Sequence, residues 1–233
     1  MSAPNLDTFI TSSRPVPQPL AISQEIRDRG STFLGHIFRV NNPEDASRTV
    51  KHVRNVLHGS KRATHEIAAW RCMVLKSGKS GLGGPEDFEL RSGSEDDGEK
   101  YAGERVLRTM RSEGAMDAVV IISRWYGGEM LGPVRFSHIE KCAREVCRTF
   151  RQKEDMEECI TTLTSLDDIL ATLRAELALS TSTARKDQDY GALLESLDTK
   201  RAKRLIAARE NSIKAVKLAL QKCKEGTAEP RET

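Results

Sequence analysis

The chain has 233 residues and a mass of 25.9 kDa, with 38% hydrophobic, 5% aromatic and 30% charged side chains. That length fits one generous domain, or one domain with an extension, and the apolar fraction is too high for wholesale disorder. Lys plus Arg number 37 and Asp plus Glu 34, a net charge of only +3, so any case for nucleic-acid binding must rest on how charge is distributed.

No apolar run approaches the roughly 18 residues of a membrane-spanning helix, which points to a soluble protein with no membrane partner. Residues 1–19 carry four prolines and no secretory pattern, and read as a flexible arm. Residues 20–26 and 32–40 are strand-like runs around Arg27-Asp-Arg-Gly30, a β-hairpin. Asn42-Pro43-Glu44-Asp45 opens a helix whose apolar face is Ala46, Val50, Val53 and Leu57. A third strand covers residues 65–75. The Gly/Ser-rich stretch to about Ser94 has no apolar period and reads as a mobile insertion. A helix through Val106, Leu107 and Met110 ends near Gly114, and Ala118-Val-Val-Ile-Ile122 follows. That strand does not alternate, which suggests burial on both faces. Another helix starts at Pro133, with Phe136, Ile139, Ala143, Val146, Cys147 and Phe150 on one side. The mixture predicts an α+β fold, a mostly antiparallel sheet with helices on one face, over residues 20–151.

Beyond Arg151 strand signals stop. Residues 152–164 read as a linker, and residues 165–224 as an α-helical C-terminal extension followed by a tail over 225–233. Ser165-Leu-Asp-Asp168 resembles a capping box, Ser180-Thr-Ser-Thr183 breaks that helix, and a longer helix spans about Gly191 to Lys222. The last helix is basic, with Lys200, Arg201, Lys203, Arg204, Arg209, Lys214 and Lys217, and the segment before it is mainly acidic. The cations could lie along phosphates, or the acidic and basic halves could complement each other within the chain. No aromatic residue is present there for base stacking.

Three features could carry chemistry. Glu95, Asp96, Asp97 and Glu99 offer oxygen ligands for a cation, but their spacing is not that of a calcium loop. Carboxylates ahead of a helix also serve its free amides, so no metal is expected. Arg124-Trp-Tyr-Gly-Gly128, with Arg135 nearby, could present amides to a phosphate. It matches no nucleotide fingerprint, and the two glycines equally suit a tight turn. His65, His138 and Cys142 form no defensible dyad, so neither catalysis nor a cofactor is expected. The odd count of five cysteines, without a C-x-x-C pair, argues against disulfides or zinc and for a reducing compartment.

Asp96-Asp-Gly-Glu-Lys-Tyr-Ala-Gly103, Ala63-Thr-His-Glu-Ile-Ala-Ala-Trp-Arg71 and Ser123-Arg-Trp-Tyr-Gly-Gly-Glu-Met-Leu-Gly-Pro-Val-Arg-Phe-Ser-His-Ile139 strongly resemble the IMPACT family of translation regulators. The resemblance covers about residues 20–150. It implies the fold also seen in domain IV of elongation factor G, and a non-enzymatic role in translation control. In full-length members it implies binding to the activator of the amino-acid-starvation kinase. Those members carry an RWD domain first, whereas here an arm of about 20 residues is expected in its place. What carries over is a recognition face of Asp97, Gly98, Glu99, Arg124, Trp125, Tyr126, Gly127, Gly128, Arg135 and His138. The expected partner is a translation-associated protein or ribosomal RNA, met in the cytoplasm or the nucleolus. An assembly factor binding ribosomal RNA, and a phosphate-ligand protein or enzyme using the Gly127-Gly128 turn, are the alternatives.

Overall fold

Among the described residues the first regular feature is a hairpin closed by two left-handed residues, Arg29 (φ 44°) and Gly30 (φ 75°), with Asp28 paired to Ser31 across them. This connection has the twist that antiparallel strands favour. Its outgoing strand is β3 (Ser31–Arg39), and the incoming run is split into β1 (Ala21–Ile22) and β2 (Ile26–Asp28). Ser23 causes the split, because its hydroxyl takes the Gly35 N–H at 2.9 Å where a ladder carbonyl would otherwise sit. The computed structural model describes residues 15–177 and 189–226. Most of the expected arm, the Ser180–Thr183 break and the tail beyond residue 226 lie outside them.

Helix α1 (Pro43–His52) follows, capped by Asn42 Oδ1 accepting the Asp45 N–H at 2.8 Å, and runs into a π-helical turn, Val53–Leu57. Then come β4 (His65–Leu75), β5 (Phe88–Glu95), α2 (Ala102–Ser112), β6 (Ala118–Trp125) and the long α3 (Val134–Leu177). The sheet order is β1-β3-β6-β4-β5, with β2 also on β3, and every pairing is antiparallel.

The sheet is buried on both sides, as the unbroken apolar run of β6 implies. Val120 and Ile122 face α2 and the start of α3, where Met110, Ile139, Val146 and Phe150 are fully buried. Val119 and Ile121 face Ala46, Val50 and Val53. The expectation of helices on one face therefore describes α2 and α3, while α1 covers the other. Each large side chain so buried is worth about 1.5–3 kcal/mol. Gly35 lets α3 approach, since a Cβ there would meet Cys142 at 3.2 Å.

The expected mobile insertion is half strand. β5 pairs along its whole length with β4, from Leu75↔Phe88 to Ala68↔Glu95, and the loop before it is tied down by Asp87, which accepts the N–H groups of Gly81 (3.1 Å) and Gly83 (2.9 Å). Only Phe88 and Leu90 alternate along this edge strand before Ser92 and Ser94, too short an apolar pattern to reveal it. Gly93 sits under the Trp70 indole, where a Cβ would come within 2.3 Å of the ring.

The chain divides into two compact units, up to Arg151 and from Gln152. In the second, residues 152–164 are no linker, because α3 runs through them without a break. Met156, Cys159 and Leu163 are buried there with Leu193 of α4 (Gly191–Ser196) and Ala202 of α5 (Thr199–Gly226). Ser165 caps nothing, and its hydroxyl donates back to the Thr161 carbonyl at 3.0 Å. The expected single helix from Gly191 is two: Leu197 turns left-handed (φ 50°), and Asp198 starts α5 by accepting the Arg201 N–H at 2.9 Å.

Candidate recognition site

Strand alternation sends neighbouring residues at the end of β6 to opposite faces, with Arg124 on the α2–α3 side and Trp125 on the α1 side. Opposite Arg124 lies His65, the first residue of β4. The acidic turn leaves β5 beside them and folds back through left-handed Asp97 (φ 44°) and Gly98 (φ 86°). Asp96 accepts the N–H groups of Tyr101 (2.9 Å) and Gly103 (2.8 Å), so it serves the free amides at the start of α2. Asp97 is a brace: one oxygen accepts the Glu66 N–H at 2.7 Å, the other pairs with Arg54 at 2.9 Å, and its carbonyl meets His65 Nδ1 at 2.8 Å.

The turn thereby delivers Glu99 inward. Its carboxylate is buried and accepts from two guanidiniums, Arg124 on one oxygen and Arg135 Nε on the other at 2.8 Å. Arg124 is itself buried, with its guanidinium 5.5 Å from the Phe33 ring centre and 5.6 Å from that of Tyr126. Arg135 also donates to the Gly132 carbonyl at 2.6 Å and lies over Phe136 at 4.2 Å. Two cations on one carboxylate leave this floor with a residual single positive charge. Above it opens a hollow of about 370 Å³, with Tyr126, Met130 and Leu131 as apolar wall and His65 opposite.

The ten expected face residues are thus sorted by the fold. Glu99, Arg124, Tyr126 and Arg135 line the hollow, and Asp97 and Gly98 hold the turn that forms it. Trp125 turns away: its Nε1 donates to the Lys61 carbonyl at 3.1 Å and its ring stands edge-on to His58 at 5.0 Å. Gly127 is a packing residue whose Cβ would fall 2.2 Å from the Gly30 carbonyl oxygen, whereas Gly128 (φ 89°) faces open space. His138 binds Asp28 at 2.8 Å. That carboxyl titrates near 2, held down by hydrogen bonds from Arg29 and then His138.

A second cluster escaped sequence reasoning altogether. On the α1 side Glu66 accepts from Ser123 Oγ at 2.6 Å and meets His58 Nδ1 at 2.8 Å, with His36 5.5 Å beyond. All four are buried. Burial pushes the His36 imidazole down to about 4. The available signal was a Glu two residues before Ala68 on the apolar side of β4. Ser123 Oγ donates to the carboxylate at 2.6 Å and lies 3.4 Å from His58 Nδ1, so the group ties β4 to β6 through the sheet's buried face. Cys142 is buried, and that burial pushes its thiol up. Among the described residues no three His, Cys, Asp or Glu side chains are placed to hold a metal ion, and no helix is long and apolar enough to cross a membrane.

The two-faced antiparallel sheet thus ends in a hollow floored by a charge-locked Glu99. Residues 29–147 match the Impact N-terminal domain, and the chain belongs to that family. It is 38% identical over 143 residues to protein IMPACT of Xenopus laevis, covering 60% of this chain and 41% of the relative. With mouse protein IMPACT it shares 39% over 132 residues, 55% of this chain and 37% of the relative. The chain thus spans about two-fifths of the curated relatives it matches. A solved structure described as the two-domain translational regulator Yih1 aligns at 30% identity over 63% of this chain and 52% of that one, with a TM-score of 0.36.

Proposed function

We propose that the sheet unit is a non-enzymatic recognition module of translation control, and that it seats a side chain of a translation-associated protein in the hollow above Glu99. The observation that carries this is the locked floor: Glu99 fixes Arg124 and Arg135 while Tyr126 and Met130, 42% and 78% exposed, stand at the rim. Preset walls and an exposed aromatic residue favour protein contacts. The phosphate alternative finds its groups already engaged. Both guanidiniums are on Glu99, the Gly127 N–H donates to Ser31 Oγ at 3.2 Å, and the Tyr126 N–H donates to Thr64 Oγ1 at 3.0 Å.

Restraint of stress-kinase signalling through such a contact, in the cytoplasm, extends the same reading. The test is co-sedimentation of the full chain with ribosomes and capture of partners, comparing the native protein with a Tyr126→Ala, Met130→Ala pair. Those side chains leave the core untouched, so the melt should hold while association falls about tenfold or more, the loss of 1.4 kcal/mol or more that a central contact gives. Association unchanged by the pair, or a thermal shift with nucleotides that vanishes on Arg124→Ala, would replace this reading with the alternative.

A further inference from the structure

Helix α5 carries nine Lys or Arg against two Glu between Thr199 and Gly226. At 100° and 1.5 Å per residue, Lys200, Lys203, Arg204, Lys214 and Lys222 fall within an arc of about 100° along about 33 Å of helix. Lys217 and Arg201 flank that arc, and all seven are exposed. The opposite side of the helix is already occupied, with Ala202 and Ile213 buried and Leu205 and Ile206 packed on the core of the second unit.

The described residues of the acidic stretch that precedes α5 in the chain form no ion pair with this stripe. Among the described residues only Arg209 of α5 forms an ion pair, with Asp167, which also accepts from Tyr190 Oη. The seven stripe and flank cations have none. Surface helices meant only for solubility interleave both signs, often four residues apart. Here Glu210 is the one acid between Thr199 and Lys222.

We propose that this stripe is a docking surface for the phosphate backbone of double-helical RNA. The choice of RNA rests on the reading of the protein as a translation regulator; the choice of a polyphosphate rests on charge alone. A straight row of ammonium groups is a row of point charges suited to phosphate oxygens. The helix has no aromatic side chain on which unpaired bases could stack. Duplex RNA is met chiefly through its shape and backbone, which needs neither aromatic nor base-reading groups. A membrane surface fits less well, because the apolar stripe that would enter the lipid is spent on Met156, Leu163 and Leu193.

The experiment is fluorescence anisotropy of the full chain with a labelled 20-base-pair RNA duplex of arbitrary sequence. Engaging four to six phosphates lowers affinity about 10²–10³-fold between 50 and 200 mM salt. Five substitutions, Lys200→Gln, Lys203→Gln, Arg204→Gln, Lys214→Gln and Lys222→Gln, should weaken binding at least about tenfold with an unchanged circular dichroism spectrum. Lys51→Gln, Arg108→Gln and Lys141→Gln in the sheet unit should change it less than about threefold. Equal loss in the two sets, or a flat salt response, overturns the proposal. Equal affinity for single-stranded RNA overturns the duplex assignment, and equal affinity for phosphatidylserine vesicles overturns nucleic acid. Tyr126→Ala separates the stripe from the hollow above Glu99: duplex binding should survive it whether or not ribosome association does.

Discussion

In the sheet unit the arginines around the acidic turn are paired: Arg124 and Arg135 share Glu99, Arg54 meets Asp97, and Arg105 meets Glu140. Along α5, among the described side chains, the cations form no ion pair apart from Arg209 on Asp167. One residue type does two jobs. Where the carboxylate is buried with its partners, charge fixes a shape, and removing a partner strands an ion away from water. Where the cation is exposed and single, charge adds little to folding and remains available for a polyanion. Stability and binding should therefore respond in opposite patterns to substitutions in the two units.

The sharpest way to break that contrast is Glu99→Ala. It leaves the Arg124 guanidinium buried without its carboxylate, between Phe33 and Tyr126, and should cost about 3–5 kcal/mol. Both tryptophans, Trp70 and Trp125, belong to the sheet unit, so urea unfolding followed by indole fluorescence reads that unit alone. A loss below about 1 kcal/mol would mean that the pair is no lock.

Gly127→Ala comes next, because its Cβ would sit 2.0 Å from the Gly30 carbonyl carbon and no flexible side chain is there to yield. Forcing the two bends apart should cost about 2–3 kcal/mol, at the upper end of overpacking. Gly128→Ala meets no atom and carries only the strain of a left-handed φ of 89°, about 1 kcal/mol. If the two variants melt alike, the close approach is not what holds the site together.

Titration of His36 gives a third measurement on the same unit. Its imidazole falls from 6.5 to about 4, first through burial and then through His58, with Glu66 opposing. The folded protein holds it neutral while the unfolded chain protonates it below pH 6.5. The stability it retains at neutral pH is therefore lost as pH falls from 6.5 toward 4. About 2 kcal/mol should disappear between pH 7 and pH 4.5, and a His36→Gln variant should show a shallower slope over that window. Asp28 works in a lower window, since a carboxyl near 2 gives up its contribution only as pH falls below about 4.

Legibility followed physical range. The hairpin, α1, α2 and the doubly buried β6 were readable because turn residues, a cap and apolar period are local signals. The meeting of Glu99 with Arg124 and Arg135 was legible only as two neighbouring unusual bends in the chain; which atoms meet is decided by the register His65↔Arg124 across β4 and β6. Trp125 and Gly127 looked like recognition residues, and the pleat and a backbone contact claimed them for structure. β5 was missed because Phe88–Glu95 is an edge strand with little to bury. The linker and the capping box failed together: polar residues in the α3 extension suit one face of a long helix as well as they suit a break, and the buried Met156, Cys159 and Leu163 decide between them. The Glu66 cluster joins residues 36, 58, 66 and 123, and no spacing in the chain announces it.

The smallest expected effect lies in the second unit and completes the contrast. Replacing Lys200, Lys203, Arg204, Lys214 and Lys222 with Gln removes five exposed charges that hold no carboxylate, so unfolding should shift by no more than about 0.5 kcal/mol per site. Relief of like-charge crowding, with Lys200 and Arg204 one turn apart, can make the sum slightly stabilising. Arg209→Gln is the internal control on the same helix. It breaks a half-buried pair with Asp167 and removes a neighbour of Tyr190, and should cost about 1 kcal/mol. Helix melting followed by circular dichroism ranks the two variants. Were the five-site variant the less stable, those cations would be holding the fold, and a surface spent on folding could not also be kept open for RNA.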